Sequence, residues 1–117
     1  LTVVSTPGHS RGSVSYKMSV TDKGKRLNVL IVNMPTVVMP LVGNKLYPDI
    51  VKDFEHTFAV LKTQKPDIWL AGHASQFDLA DKHKAGNYVD PGGYTKALAN
   101  YEKLFRQTLA EEQARKR

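Results

Sequence analysis

The sequence predicts an α/β fold in which a small mixed β-sheet carries helices on one face. Three observations predict it. Polar and apolar residues alternate through residues 13–20, the two-residue period of a strand with one buried face. Leu30-Ile31-Val32 is continuously apolar, which suits a strand covered on both faces. Two longer stretches repeat apolar residues every three or four positions, the period of amphipathic helices, and a short apolar run at 68–71 lies between them.

The elements follow in order. Leu1-Thr2-Val3-Val4 reads as the middle of a strand, with no Met, basic n-region or apolar h-region, so no targeting peptide is visible and the chain reads as part of a longer one. In the alternating stretch Val14, Tyr16, Met18 and Val20 share the face expected to be buried. Residues 21–25 form a turn and residues 27–33 a second strand, together a hairpin. Pro48 and Asp49 open a helix whose Ile50, Phe54, Phe58 and Leu61 lie on one side, and it ends before Pro66. A strand over 67–71 then runs directly into Gly72-His73. A second helix is expected over 75–85, stopping at Gly86-Asn87, with Asp78 capping or solvating it. The last runs from Pro91 to about Glu112 and turns Tyr94, Leu98, Tyr101, Phe105 and Leu109 toward the core. Three or four strands with a doubly apolar centre need cover on both sides, and these helices cover one. Either a second copy or another polypeptide supplies the missing layer.

Composition narrows the function classes. A chain of 117 residues is one domain's worth, and 41% hydrophobic with 24% charged residues excludes a disordered tail or a collagen-like chain. No apolar run approaches the roughly 20 residues that span a bilayer, so no membrane partner is expected. Without cysteine there is no disulfide, no thiolate zinc cluster and no thiol nucleophile. Lys and Arg number 17 against 11 Asp and Glu, a net charge of +6, which raises the question of nucleic acid. The basic residues are scattered rather than laid in a stripe. The tight cluster Arg115-Lys116-Arg117 suits the negative end of a helix dipole, and no nucleic-acid partner is expected.

Chemistry concentrates where a glycine precedes a histidine at a strand end, at Gly8-His9 and Gly72-His73. There the backbone turns and a neutral imidazole can point into a cleft. Local physics leaves ligand, catalytic and structural roles open for both. His56 lies off the apolar stripe of its helix and His83 stands among Asp81, Lys82 and Lys84, so both are expected to face solvent.

The string Thr6-Pro7-Gly8-His9-Ser10-Arg11-Gly12-Ser13 resembles the TPGHTxGS motif of the metallo-β-lactamase superfamily, followed as there by a β-hairpin. Asn33-Met34-Pro35, Tyr47-Pro48 and Asp67-Ile68-Trp69-Leu70-Ala71-Gly72-His73-Ala74-Ser75-Gln76-Phe77-Asp78-Leu79 are similar, in that order, to subclass B3 enzymes and most of all to their GOB-type branch. The resemblance implies residues 1–117 as a single unit, the carboxy-terminal half of a four-layer αββα sandwich, with the amino-terminal half absent. It implies His9 as a ligand of one zinc and His73 of a second. The other ligands belong to an HxHxDH-type motif, which this sequence does not contain.

Catalytic zinc takes three protein ligands and a water, and His9 and His73 supply at most one per metal. The resemblance therefore implies a parent enzyme that opens β-lactam antibiotics by zinc-activated hydroxide, conferring resistance from the periplasm. The isolated chain is expected to bind zinc weakly and to lack a complete catalytic set. Asn33 stands where many relatives place a metal-binding Asp or Cys; an amide is a poor zinc ligand, so it either meets a substrate carboxylate or water, or satisfies backbone groups at the strand end. Ser75 and Gln76 follow His73 and are candidates to orient it. Residues 35–43 read as a loop flanking the cleft or as covered core. Competing readings are a superfamily hydrolase acting on a lactone, thioester or phosphodiester, and a non-catalytic half-domain that self-associates. The expected partners are thus a β-lactam substrate and either the amino-terminal half or a homodimer mate over the open sheet face.

Overall fold

A computed structural model describes residues 1–115; Lys116 and Arg117, the end of the basic cluster, lie outside the described residues. The strands are β1 (Thr2–Ser5), β2 (Val14–Asp22), β3 (Lys25–Val32) and β4 (Ile68–Ala71). The helices are α1 (Ile50–Lys62), α2 (Leu79–Ala85) and α3 (Pro91–Arg115), with a 3₁₀ turn at Ala74–Gln76. The sheet order is β1-β2-β3-β4, antiparallel except for the parallel β3–β4 pair. A parallel pair needs a crossover, and α1 lies in it. The hairpin is tighter than the sequence suggests: only Lys23 and Gly24 turn, both at positive φ (52° and 77°), as a two-residue hairpin loop demands.

One face of this sheet holds the core. Leu30 and Val32 of β3 and Trp69 of β4 pack with Ile50, Phe54, Phe58 and Leu61 of α1 and Tyr94, Leu98 and Phe105 of α3. Phe105 sits between the two helices, its ring 5.1 Å from Phe54 and 5.6 Å from Phe58. The helical stripes read from the sequence are therefore the core stripes.

The strand alternation is also observed, but with the faces exchanged. Tyr16 pairs with Ile31, Met18 with Val29 and Val20 with Leu27, which sets them on the side opposite Leu30 and Val32. On that side Val3 is 59%, Tyr16 36% and Val20 38% exposed, although Leu27 and Val29 are buried. The fully buried β2 residue is Ser15. Alternation tells which side chains share a face; packing of α1 and α3 decides which face is covered.

The expected helix over 75–85 is broken in two. Phe77 turns into the core with its ring 6.0 Å from Trp69, Asp78 takes the left-handed conformation (φ 55°) without a side-chain cap bond, and α2 starts only at Leu79. Lys82, expected among solvated neighbours, is buried with its ammonium 4.4 Å from the Trp69 ring centroid and 3.1 Å from Asp90. Asp90 in turn accepts the Gly93 N–H (3.0 Å), capping α3, and the Trp69 indole N–H (3.4 Å). Burial alone would raise the Asp90 carboxyl, but the adjacent Lys82 ammonium and the Gly93 N–H outweigh it and hold the group below the usual range.

Two phenols pin the helices. Tyr94 donates to the Leu61 carbonyl at the end of α1 (2.6 Å), and Tyr47 donates to Asp53 in its first turn (2.5 Å). Burial, then the Asp53 hydrogen bond, pushes the Tyr47 phenol up to about 12, and burial raises Tyr94 further. Both hold their proton more tightly folded than unfolded, where phenols titrate near 10. Their contribution to stability is complete below pH about 10 and is lost as pH rises toward 12. Urea midpoints should therefore fall between pH about 10 and 12, and less steeply in a Tyr47→Phe, Tyr94→Phe double variant; equal slopes would remove these phenols as the cause.

Candidate metal and substrate cleft

His9 sits in a tight turn between β1 and β2. Gly8 N–H donates to the Ser10 carbonyl (3.0 Å) and Thr6 N–H to the Ser13 carbonyl (3.0 Å), while the Ser13 hydroxyl accepts the Ser10 N–H (3.1 Å). Helix α1 holds this turn from beneath. The buried Thr57 hydroxyl donates to the Pro7 carbonyl at 2.6 Å, and Gly8, at φ +137°, lies so close to Phe54 that an added Cβ would stand 2.8 Å from its ring. Only glycine combines that backbone angle with that approach. Gly72, the other glycine before a histidine, carries no such constraint, for a Cβ there meets nothing within 4 Å.

A cleft of about 250 Å³ opens at this end of the sheet, lined by His9, Tyr16, Asn33, Thr36, His73 and Gln76 among others. The structure thus brings together four of the five residues singled out in the sequence. Ser75 is exposed on the 3₁₀ turn and does not line it. His56 and His83 are exposed on their helices. Asn33 is placed by its backbone: its N–H donates to the Ser15 hydroxyl (2.9 Å), which also shares a hydrogen bond with Thr6 (3.0 Å). His73 follows β4 in extended conformation, and Gln76 closes the turn after it, its N–H on the His73 carbonyl (3.0 Å) and its side-chain oxygen on the His73 N–H (3.4 Å).

Thr36 was not visible as a site residue in the sequence. It follows β3 in residues 35–43, which prove to be both loop and core: Pro35 and Leu41 are buried, Val38 is 64% exposed, and Thr36 faces the cleft. His9 Nδ1 lies 2.7 Å from the Thr36 hydroxyl and 3.1 Å from its carbonyl. Ser15 and Thr57 were equally invisible, since a Ser or Thr in a strand or helix carries no pattern of its own.

Zinc is bound by neutral imidazole, thiolate or carboxylate. Two histidines on one cleft fit it in kind; in number they do not, because no group of three His, Cys, Asp or Glu side chains able to hold a metal stands among the described residues. No described helix is long and apolar enough to cross a membrane.

No family model matches the chain. Solved structures do. The metallo-β-lactamase GOB-18 from Elizabethkingia meningoseptica is 36% identical with a TM-score of 0.84, over 94% of this chain and 44% of that one. The class B3 di-zinc metallo-β-lactamase LRA-12 from an Alaskan soil metagenome is 35% identical with a TM-score of 0.78, over 92% and 44%. BJP-1, a subclass B3 metallo-β-lactamase of Bradyrhizobium japonicum, is 30% identical with a TM-score of 0.91, over 99% and 47%. The chain spans somewhat under half the length of each.

The unequal glycines give a direct check of the turn. Gly8→Ala should lower stability by more than about 1 kcal/mol through backbone strain and collision with Phe54, whereas Gly72→Ala should stay within about 0.5 kcal/mol. Equal urea midpoints for the two variants would contradict the seat that α1 gives to Gly8.

Proposed function

We propose that this chain, which carries the carboxy-terminal half of the subclass B3 metallo-β-lactamase fold, contributes two zinc ligands and one wall of the cleft to a periplasmic β-lactam hydrolase. The observation that supports it is the convergence of His9 and His73, which lie far apart in sequence, on one cleft with Asn33 and Gln76. Zinc bound there supplies a Lewis acid and acidifies water toward a pKa of about 7. The chain's own part is to present imidazole nitrogens from His9 and His73. Gln76 keeps the His73 turn closed, and the Asn33 amide is offered to the substrate carboxylate. The remaining ligands belong to the amino-terminal half, in an HxHxDH or QxHxDH string.

The open sheet face agrees with this division of labour. Val3, Tyr16 and Val20 form an apolar surface beside the cleft that Tyr16 also lines, so whatever covers the face also walls the site. The partner is the amino-terminal half, or in its absence a second copy of the chain.

Zinc titration with turnover of a chromogenic cephalosporin tests the catalytic part. The chain alone should bind zinc weakly and turn over nothing; addition of a polypeptide with the HxHxDH half should restore hydrolysis. His9→Ala or His73→Ala should then cut it more than about 100-fold, beyond the loss caused by residues that only orient a ligand. Turnover by the chain alone, or restored turnover indifferent to both substitutions, would sink the assignment.

Light scattering tests the face. The isolated chain should associate, and Tyr16→Glu with Val20→Glu should shift it to monomer; a monomer at high concentration before substitution would count against an interface.

A further inference from the structure

The two cleft histidines are held differently. His73 is exposed, and its ties to Gln76 run through its backbone N–H and carbonyl. His9 is half-buried and its ring itself is gripped, with Nδ1 3.1 Å from the Thr36 carbonyl oxygen and 2.7 Å from the Thr36 hydroxyl. A carbonyl oxygen only accepts. Its contact with Nδ1 is attractive when Nδ1 carries the proton; with the proton on Nε2, two lone pairs would face one another at 3.1 Å. The hydroxyl can take either role and so follows the carbonyl, sharing the same N–H.

We propose that Thr36 is a positioning residue that fixes His9 as the Nδ1–H tautomer and leaves Nε2 as its free lone pair. Imidazole binds metal through the nitrogen without a proton, and which one that is follows from the hydrogen bond made by the other. The inference deepens the zinc reading of His9 and rests on it for its purpose, not for its geometry.

Thr36 is itself well anchored. Met34 before it and Leu41 after it are buried in the core. Farther along the loop, the Leu41 and Val42 N–H groups both donate to a Glu112 carboxylate oxygen of α3, at 2.8 and 3.1 Å. The acceptor pair that grips His9 is therefore fixed to the helical layer and does not depend on the cleft being filled.

Two-bond ¹H–¹⁵N spectra of the zinc-free, labelled chain at pH about 8.5, above the usual imidazole range, report the tautomer directly. His9 should be Nδ1–H. Thr36→Val keeps the carbonyl that selects the tautomer but loses the shorter contact to the hydroxyl, so His9 should stay mainly Nδ1–H with a raised Nε2–H fraction; Thr36→Ser should restore the native ratio. In competition with a chelating dye, Thr36→Val should weaken zinc binding about 10-fold to 100-fold and Thr36→Ser by less than about threefold. An Nε2–H imidazole in the native chain overturns the proposal, as does a Thr36→Val protein with unchanged tautomer and zinc affinity. An Nδ1–H His9 that responds to Thr36→Val in a chain that takes up no zinc supports the Thr36 role and refutes the metal reading instead.

Discussion

The close approach of the Pro7-Gly8 backbone to α1 is the constraint on which the rest of the site depends. Thr57 binds the Pro7 carbonyl and Phe54 fills the space where any Cβ at residue 8 would go. Phe54 is also stacked on Phe105, so the turn bearing His9 stands on the middle of the aromatic core rather than on a loose edge. A rotation or shift of α1 that repacked those rings would move His9 with them. The energy of the core is in this way coupled to the placement of one imidazole.

Ser15 extends the same constraint across the sheet. Its hydroxyl, fully buried on the helical side of β2, bonds both the Thr6 hydroxyl and the Asn33 N–H. A buried hydroxyl is tolerable only when satisfied, and here its partners are the two strand ends that flank the cleft. The loop after Asn33 then returns Thr36 to His9 before it is strapped to α3 through Glu112. Surface ion pairs between α1 and α3, Lys62 with Glu102 and Arg106 with Glu55, add little beside this, as exposed pairs do.

The two faces of the sheet are unequally covered. Below it, helices bury aromatic residues to near completeness; above it, Val3, Tyr16 and Val20 are exposed while Leu27 and Val29 are buried. The cleft lies on the border between the two, with Tyr16 shared by the open face and the site. The open face and the cleft are thus parts of one surface.

What the sequence determined by itself were the periodic features and the ordered motifs. The core stripes of α1 and α3, the hairpin, and the pairing of Gly-His turns with strand ends were legible because each depends on neighbours close along the chain. Which face of β2 is buried was not legible: a period of two names the residues that share a side, and only the docking of helices chooses the side. Nor did the sequence give any sign of Ser15 or Thr57, and it left Lys82 in solvent when Trp69 and Asp90 bury it. Thr36 is the clearest case. It reaches His9 across 27 positions, and such a contact exists only once α1, β3 and α3 have fixed where each turn and loop must lie.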